Sequence, residues 1–328
     1  MTAIDLVSID QALAWKPWAV AYFLVIGAAA GAALIAVAAG LRGGASQARG
    51  ALRAAAVLAL SAPLPLFADL HQPARVLNFY LSGATGSVMW WGAWLMPLFV
   101  LATLAATLLD AAGARAGLLR SAFIAMAVFG LGVLGYTAGE LWILAARPLW
   151  HSLGFPLVLT LTAITSGAGA VLLVPEAAGR AAGLARRVLA VSAALAAVSL
   201  GVWILADPRM AALARDHMPL TVIFHVLILG LALPAGLAIA NQGRAAAVVA
   251  GLAAIWGALA FRWALFTAGQ TLSKVETTHY PGPGFTDAAV LQSLVGTLGM
   301  IALAVVIVTI LVAHVAPAFG PRATADKT

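Results

Sequence analysis

The sequence predicts an all-α polytopic membrane protein, a bundle of about nine transmembrane helices, and three observations predict it. Of 328 residues, 63% are apolar and only 9% are charged, where a water-soluble domain carries roughly a quarter charged residues. Mean hydropathy is +1.04. The apolar residues also gather in runs of about 20, the length that crosses the hydrocarbon core as a helix. Such runs cover residues 18–41, 51–68, 88–109, 118–140, 152–174, 185–206, 219–240, 245–268 and 288–314.

The first run follows an acidic start (Asp5, Asp10) and is too long, with no small-residue cleavage site, for a removable signal peptide. It reads as a retained helix, and its Gly27-Ala28-Ala29-Ala30-Gly31 stretch is a small-xxx-small pattern suited to close helix packing. Pro63 and Pro65 in the second run, Pro97 in the third and Pro234 in the seventh predict kinks, which spans tolerate without a transport role. The expected organisation is an N-terminal segment 1–17, a membrane domain 18–315 and a tail 316–328.

The net charge of +7 does not point to nucleic acid, because the basic residues sit in short loops beside apolar runs, where they set topology. Sorted by alternate loops, Arg42, Arg49, Arg53, Arg115, Arg120, Arg180, Arg186, Arg187, Arg244, Arg322 and Lys327 fall on one side. Lys16, Arg75, Arg147, Arg209, Arg215 and Lys274 fall on the other. Eleven against six predicts an N-terminus on the outside and a C-terminus in the cytoplasm. The absence of cysteine excludes disulfides, cysteine-ligated zinc, covalently attached c-type haem and any iron–sulfur cluster held by this chain alone. A transmembrane b-type haem would need facing histidines at matching depth, and only His225 lies well inside a span. His71, His151, His217 and His279 come from four separate loops with no zinc-motif spacing, so no metal site is expected.

The chemistry is one-sided. The predicted cytoplasmic loops are short and built of Gly, Ala and Arg, whereas the outer loops hold four histidines, Asp69, Glu140, Asp207, Asp216, Glu276 and a group of tryptophans. An interfacial aromatic belt with solvated charges accounts for any one of these residues taken singly. Ionisable groups inside spans are costly, and each is a functional candidate until a structural partner is found. Arg262 lies seven residues before Gly269, roughly 10 Å below the outer end of its span. His225 and Tyr22 lie at similar depth, and Tyr136 stands one turn below Glu140 on the same helix face. With Asp69, five spans contribute to one outer polar layer. For Arg262 the structural alternative is a buried ion pair with Asp69 or Glu140; for His225 it is a hydrogen bond to a nearby carbonyl. The inner half has only hydroxyls such as Thr160, Thr162, Thr165 and Ser166, with Asp110, Glu176 and His314 at its edge. Without an ionisable chain across that half, obligatory proton pumping is not expected.

Four stretches around the outer layer carry a family resemblance. They are Trp18, Tyr22 and the glycine-rich first helix; Ala68-Asp69-Leu70-His71-Gln72-Pro73-Ala74-Arg75 leading into Ser87-Val88-Met89-Trp90-Trp91-Gly92-Ala93-Trp94; Tyr136-Thr137-Ala138 through Ala146-Arg147-Pro148-Leu149-Trp150; and Arg262 with Ala268-Gly269-Gln270. In this order the chain resembles the NrfD/PsrC family, the integral-membrane quinone-interacting subunits of respiratory molybdoenzymes such as polysulfide reductase. The likeness departs at Trp15-Lys16-Pro17-Trp18, where a more hydrophilic entry with an Asn or His is expected, and in the ninth helix, one more than the polysulfide reductase subunit has.

The resemblance implies a quinol or quinone (menaquinone or ubiquinone) bound near the periplasmic face. It also implies a docked ferredoxin-like iron–sulfur subunit and a molybdopterin catalytic subunit, which hold the clusters and the molybdopterin. Tyr136 and Asp69 are the expected headgroup contacts, with Arg75 and Arg262 shaping the pocket. Depth and chemistry add His71, Glu140, Tyr22 and His225, and proton chemistry is expected of Tyr136, Asp69, Glu140 and His71. Trp90, Trp91, Arg147 and Trp150 are the expected docking residues. Two rival readings remain: a passive anchor for such a complex, and a secondary transporter. A transporter would place its site near the midplane within repeated halves, and neither a midplane charge cluster nor a repeat is visible.

Overall fold

In the computed structural model, which describes residues 13, 15, 17–70, 72–176, 179–240, 243–272, 284 and 286–319, the chain is a multi-pass helical bundle. Nine helices among the described residues are long and apolar enough to span a membrane: α1 (Pro17–Gly43), α2 (Arg49–Asp69), α3 (Val88–Ala111), α4 (Ala116–Trp142), α5 (Gly154–Leu173), α6 (Gly179–Ala206), α7 (Leu220–Ala240), α8 (Gly243–Thr271) and α9 (Ala288–Ala318). Their limits follow the apolar runs within a few residues, because in hydrocarbon a helix satisfies its own backbone and the run can take no open alternative. The end where α1 begins is the near end below, and the other is the far end. The last span continues to Ala318, past the expected boundary at 315. Most of segment 1–17 and residues 320–328 of the tail lie outside the described residues.

The first four spans pack as one group and α5 to α8 as another, with α1 against α5 and α8 at the seam. α9 lies across α1 and α2. Burial separates these roles: 89% of the α1 window is buried inside the protein, against 17% for α9. α1 is therefore the central post, and its Ala- and Gly-rich sequence suits that place, since helices in lipid gain from close van der Waals approach rather than from hydrophobic exclusion. At one close approach Gly31 faces Gly167 of α5. A Cβ on Gly167 would stand 2.6 Å from the Ala28 carbonyl oxygen, the Ala32 nitrogen and the Gly31 Cα.

The prolines act locally. α2 is broken at Ala62, between a segment ending at Ser61 and one running Pro63–Asp69, since Pro63 and Pro65 cannot donate to the preceding turn. α7 is wound as a π-helix over Leu220–Ala232, just ahead of Pro234. α3 carries Pro97 without an interruption.

At the far end the arginines cap helices. Arg244 donates through Nη1 to the Leu172 carbonyl at 2.6 Å and through Nη2 to that of Leu173 at 2.9 Å, closing the C-terminus of α5. Arg180 donates to the Arg42 carbonyl at 3.2 Å near the end of α1. Each cation sits where orphaned carbonyls gather and the helix dipole is negative.

Replacing Gly167 by Val should force α1 and α5 apart, with a cost on the order of 1–3 kcal/mol or more for overpacking against backbone atoms. The thermal midpoint of the detergent-solubilised protein is expected to fall well below wild type for Gly167→Val, and to be unchanged for Gly201→Val, whose added Cβ meets nothing within 4 Å.

Candidate functional site at the near end

The polar layer of the near end is assembled by helix register. Tyr22 lies just over one turn inside α1, Tyr136 and Glu140 stand one above the other on α4, and Asp69 closes α2. Side-chain hydrogen bonding joins Tyr22 to Tyr136 and Tyr136 to Glu140, so three residues from two spans form one chain. Tyr22 is 1% exposed and Glu140 5%, while Tyr136 is only partly covered. The Tyr136 hydroxyl donates to the carboxylate, and Glu140 Oε2 is buried with no hydrogen-bond partner among the described residues. An unsatisfied carboxylate oxygen in an apolar interior is costly. The chain therefore ends in an acceptor that a bound polar group would satisfy.

Gly92 of α3 fixes the Tyr136 ring. A Cβ at Gly92 would come 2.1 Å from Tyr136 Cε2 and 2.2 Å from Cζ, so the phenol lies flat on bare backbone and only glycine leaves room for it. One turn earlier, Val88 packs beside Gly139, which holds the start of α3 level with Glu140.

Arg262 does not form the buried ion pair that was its structural alternative. It is 1% exposed, and it does not pair with Asp69 or Glu140: no ion pair involves it among the described residues. Its Nε donates to the Phe23 carbonyl at 3.0 Å, Nη1 to Thr162 Oγ1 at 3.3 Å and the Ala258 carbonyl at 3.1 Å, and Nη2 to the Leu159 carbonyl at 3.4 Å. One guanidinium thus ties α1, α5 and α8 together immediately beside Tyr22. Planar, multidirectional donors suit such a clamp in a way that an ammonium cannot match.

A second tie closes the near end. Gln270 accepts from the Trp15 backbone N–H at 2.9 Å and donates to the Trp15 carbonyl at 3.1 Å, while Arg147 Nη1 reaches the Gln270 carbonyl at 3.4 Å. Trp15, Phe23, Phe266 and Trp150 stack beneath it edge-on or tilted. Trp150, expected on the docking surface, belongs to this core instead: it is 2% exposed, and its Nε1 donates to the Leu265 carbonyl at 2.8 Å. The reason is Gly269, where a Cβ would overlap the indole.

The other expected residues are placed as follows. Asp69 is partly exposed, with Oδ1 buried. Arg75 is exposed in the turn Pro73–Arg75. His225 faces α8 within the π-helical part of α7, where Nδ1 accepts from Trp256 Nε1 at 3.1 Å; its partner is an indole, not a carbonyl. Trp90 packs edge-on against Trp91 and Trp94, with its Nε1 buried and without a partner among the described residues. Trp91 is 53% exposed. His71 lies outside the described residues. Among the described residues, no group of three or more His, Cys, Asp or Glu side chains could hold a metal ion. The contacts made by Gly92, Thr162 and Gln270 were not expected from the sequence. Glycine inside the run Trp90-Trp91-Gly92-Ala93-Trp94 is the one local signal that could have pointed to such a contact.

Nine spans among the described residues, one of them the central post, with a buried phenol–carboxyl chain near one end, define a polytopic membrane protein with a polar site near one membrane surface. The family is shown by comparison. Residues 7–274 match the family described as "Polysulphide reductase, NrfD", and the chain belongs to it. It is also 32% identical over 321 residues to the C subunit of tetrathionate reductase from Salmonella typhimurium (strain LT2), covering 90% of this chain and 92% of that protein. The chain is thus similar over nearly its whole length to a subunit of a reductase.

Two outcomes test the geometry. Arg262→Lys keeps the charge but loses the spread of donors, and its thermal midpoint in detergent should drop; an unchanged midpoint would remove the clamp. Gly92→Val should displace the Tyr136 ring, and the altered environment of that tyrosine is measurable by ultraviolet resonance Raman against a Tyr136→Phe reference.

Proposed function

We propose that this chain is the quinone-reactive subunit of a multi-subunit oxidoreductase of the bacterial inner membrane. In this reading the near end faces the periplasm and quinol is oxidised beside Tyr136. The observation that carries the reading is the buried Tyr22–Tyr136–Glu140 chain ending in an unpartnered oxygen. A quinone pocket needs apolar walls with a few polar groups placed to meet the ring oxygens, and the residues here fit. Tyr136 is partly open, a bare carboxylate oxygen stands next to it, and the surroundings are aromatic and aliphatic.

A bound quinol supplies two electrons and two protons. Tyr136 orients the headgroup through its hydroxyl, which Gly92 and Glu140 hold in place. Glu140 accepts a proton at Oε2, and Asp69, at the partly exposed end of α2, passes protons to water. Arg262 keeps Tyr22 in register by gripping the next carbonyl. An iron–sulfur cluster held by a ferredoxin-like partner would take the electrons, since this chain has no cysteine to hold one. Exposed Trp91 and Trp94 and the loop carrying Arg75 offer that partner a surface. The partner in turn feeds a molybdopterin subunit. The relative's name supports tetrathionate as the terminal acceptor of the complex.

Tyr136→Phe and Glu140→Gln are expected to lower quinol-dependent tetrathionate reduction by the assembled complex about 10²–10⁴-fold, the range for losing general acid–base help. Reduction driven by an artificial donor to the catalytic subunit should stay unchanged. Full quinol turnover in both variants would overturn the assignment of the quinol site to Tyr136 and Glu140.

Along α3 and α4 the route to the far end is apolar, and along α5 it meets only hydroxyls such as Thr162, Thr165 and Ser166. Between Tyr136 and Thr103 the buried side chains of α3 and α4 are Met96, Phe99, Met126, Val133 and Leu134, and Thr103 and Thr107 donate back to their own helix at 2.8 Å each. Turnover in reconstituted vesicles is therefore expected to move only the protons released by quinol oxidation, read with a pH-sensitive dye on each side.

A further inference from the structure

At the far end, the start of α2 and the ends of α3 and α9 frame a half-open cavity of about 210 Å³ lined by Arg49, Leu52, Arg53, Thr107, Asp110, Ala111 and Val312. One water takes up roughly 30 Å³ of the liquid, so this space is large enough for several waters or for a small polar group. Asp110 reaches into it from α3 with its side chain 4% exposed, and Arg49 Nε donates to its Oδ2 at 3.2 Å. Oδ1 is buried and has no hydrogen-bond partner among the described residues. Arg53 pairs with Glu176 at 2.6 Å. Arg180 and Arg244, also at the far end, are engaged by helix carbonyls. Arg49 and Arg53 differ, because they line a cavity together with a carboxylate that has an oxygen to spare.

The charges around this space cancel, two guanidinium groups against Asp110 and Glu176. A dianionic headgroup would have to displace a carboxylate, and a purely cationic group would face both arginines. A headgroup that is neutral overall but bipolar meets both needs. Its phosphate takes the terminal nitrogens of Arg49, which no described residue engages, and an N–H donor takes Asp110 Oδ1. Leu52 and Val312 form the apolar walls, and the lipid-facing side of α9 continues upward through exposed Ile310 and Val306. Basic pockets between spans on the cytoplasmic side are a recurrent form of lipid headgroup site.

We propose that this cavity binds the headgroup of one phosphatidylethanolamine from the leaflet at the far end. The phosphate lies against Arg49 and Arg53, the ammonium donates to Asp110, and an acyl chain runs along α9. The lipid fastens α9 to α2 and α3 and has no part in quinol chemistry.

The test uses the purified complex, delipidated in detergent and exposed to vesicles of phosphatidylcholine mixed in equal parts with phosphatidylethanolamine, phosphatidylglycerol or cardiolipin. Bound lipid is then read by native mass spectrometry. Phosphatidylethanolamine should be retained about tenfold over phosphatidylcholine, whose quaternary ammonium cannot donate, a ratio equal to about 1.4 kcal/mol. Asp110→Asn should abolish that preference, and Arg115→Gln, on the same face outside the cavity, should keep it. Equal retention of phosphatidylcholine, stronger retention of phosphatidylglycerol or cardiolipin, or an undiminished preference in Asp110→Asn each overturns the proposal. The lipid comparison on the wild-type complex decides the matter even if the Asp110 variant does not assemble.

Discussion

A guanidinium with no counter-ion among the described residues holds the centre of this bundle. Buried Arg262 cannot reach water, so its donors must find oxygens within the protein, and those oxygens belong to three different helices. The constraint acts in both directions. The cation is tolerable only while α1, α5 and α8 stay in register, and that register is what brings Tyr22 to the level of Tyr136. Ordinary apolar packing cannot do this alone, because lipid solvates leucine as well as a neighbouring helix does. Directional donors and Gly-to-backbone contacts such as Gly31 on Gly167 supply the specificity.

The candidate site follows from that register and from one missing side chain. Tyr136 can lie between α3 and α4 only because residue 92 has no Cβ, and Glu140, a turn away, then meets its hydroxyl. A carboxyl placed at the rim would be solvated and chemically ordinary. Drawn under the bundle end with one oxygen unpartnered, it is held ready for a polar ligand, as burial makes an open valence expensive to leave unfilled.

The two ends of the bundle use polar side chains differently. At the near end, aromatic rings and amide groups close the structure, with Gln270 locking the entry of α1 to the exit of α8. At the far end, arginines take helix C-terminal carbonyls and leave a small, charge-balanced cavity at α2, α3 and α9. Loops that read as plain topological signals prove to cap the helices they join, since a cation placed for orientation also lies where unpaired carbonyls collect.

Spans and their order were legible in the sequence, because hydrocarbon leaves a long apolar run only one conformation, and the costly buried charges stood out as candidates. The i, i+4 pairing of Tyr136 with Glu140 was legible too, being a property of one helix. Arg262 was visible as an anomaly, yet its partners were not, since carbonyls carry no mark in the sequence and those that it reaches belong to helices joined by long stretches of chain. Trp150 read as a surface residue because a tryptophan in a loop near a membrane end usually is one; only the absence of a Cβ at Gly269 turned it inward. His225 likewise found an indole on α8 that no spacing foretells. What the sequence determined by itself is therefore everything set by the solvent, the helices and their polarity. What only tertiary structure decided is which polar groups meet, because that depends on helix rotation and on close approach at single glycines, which local pattern does not encode.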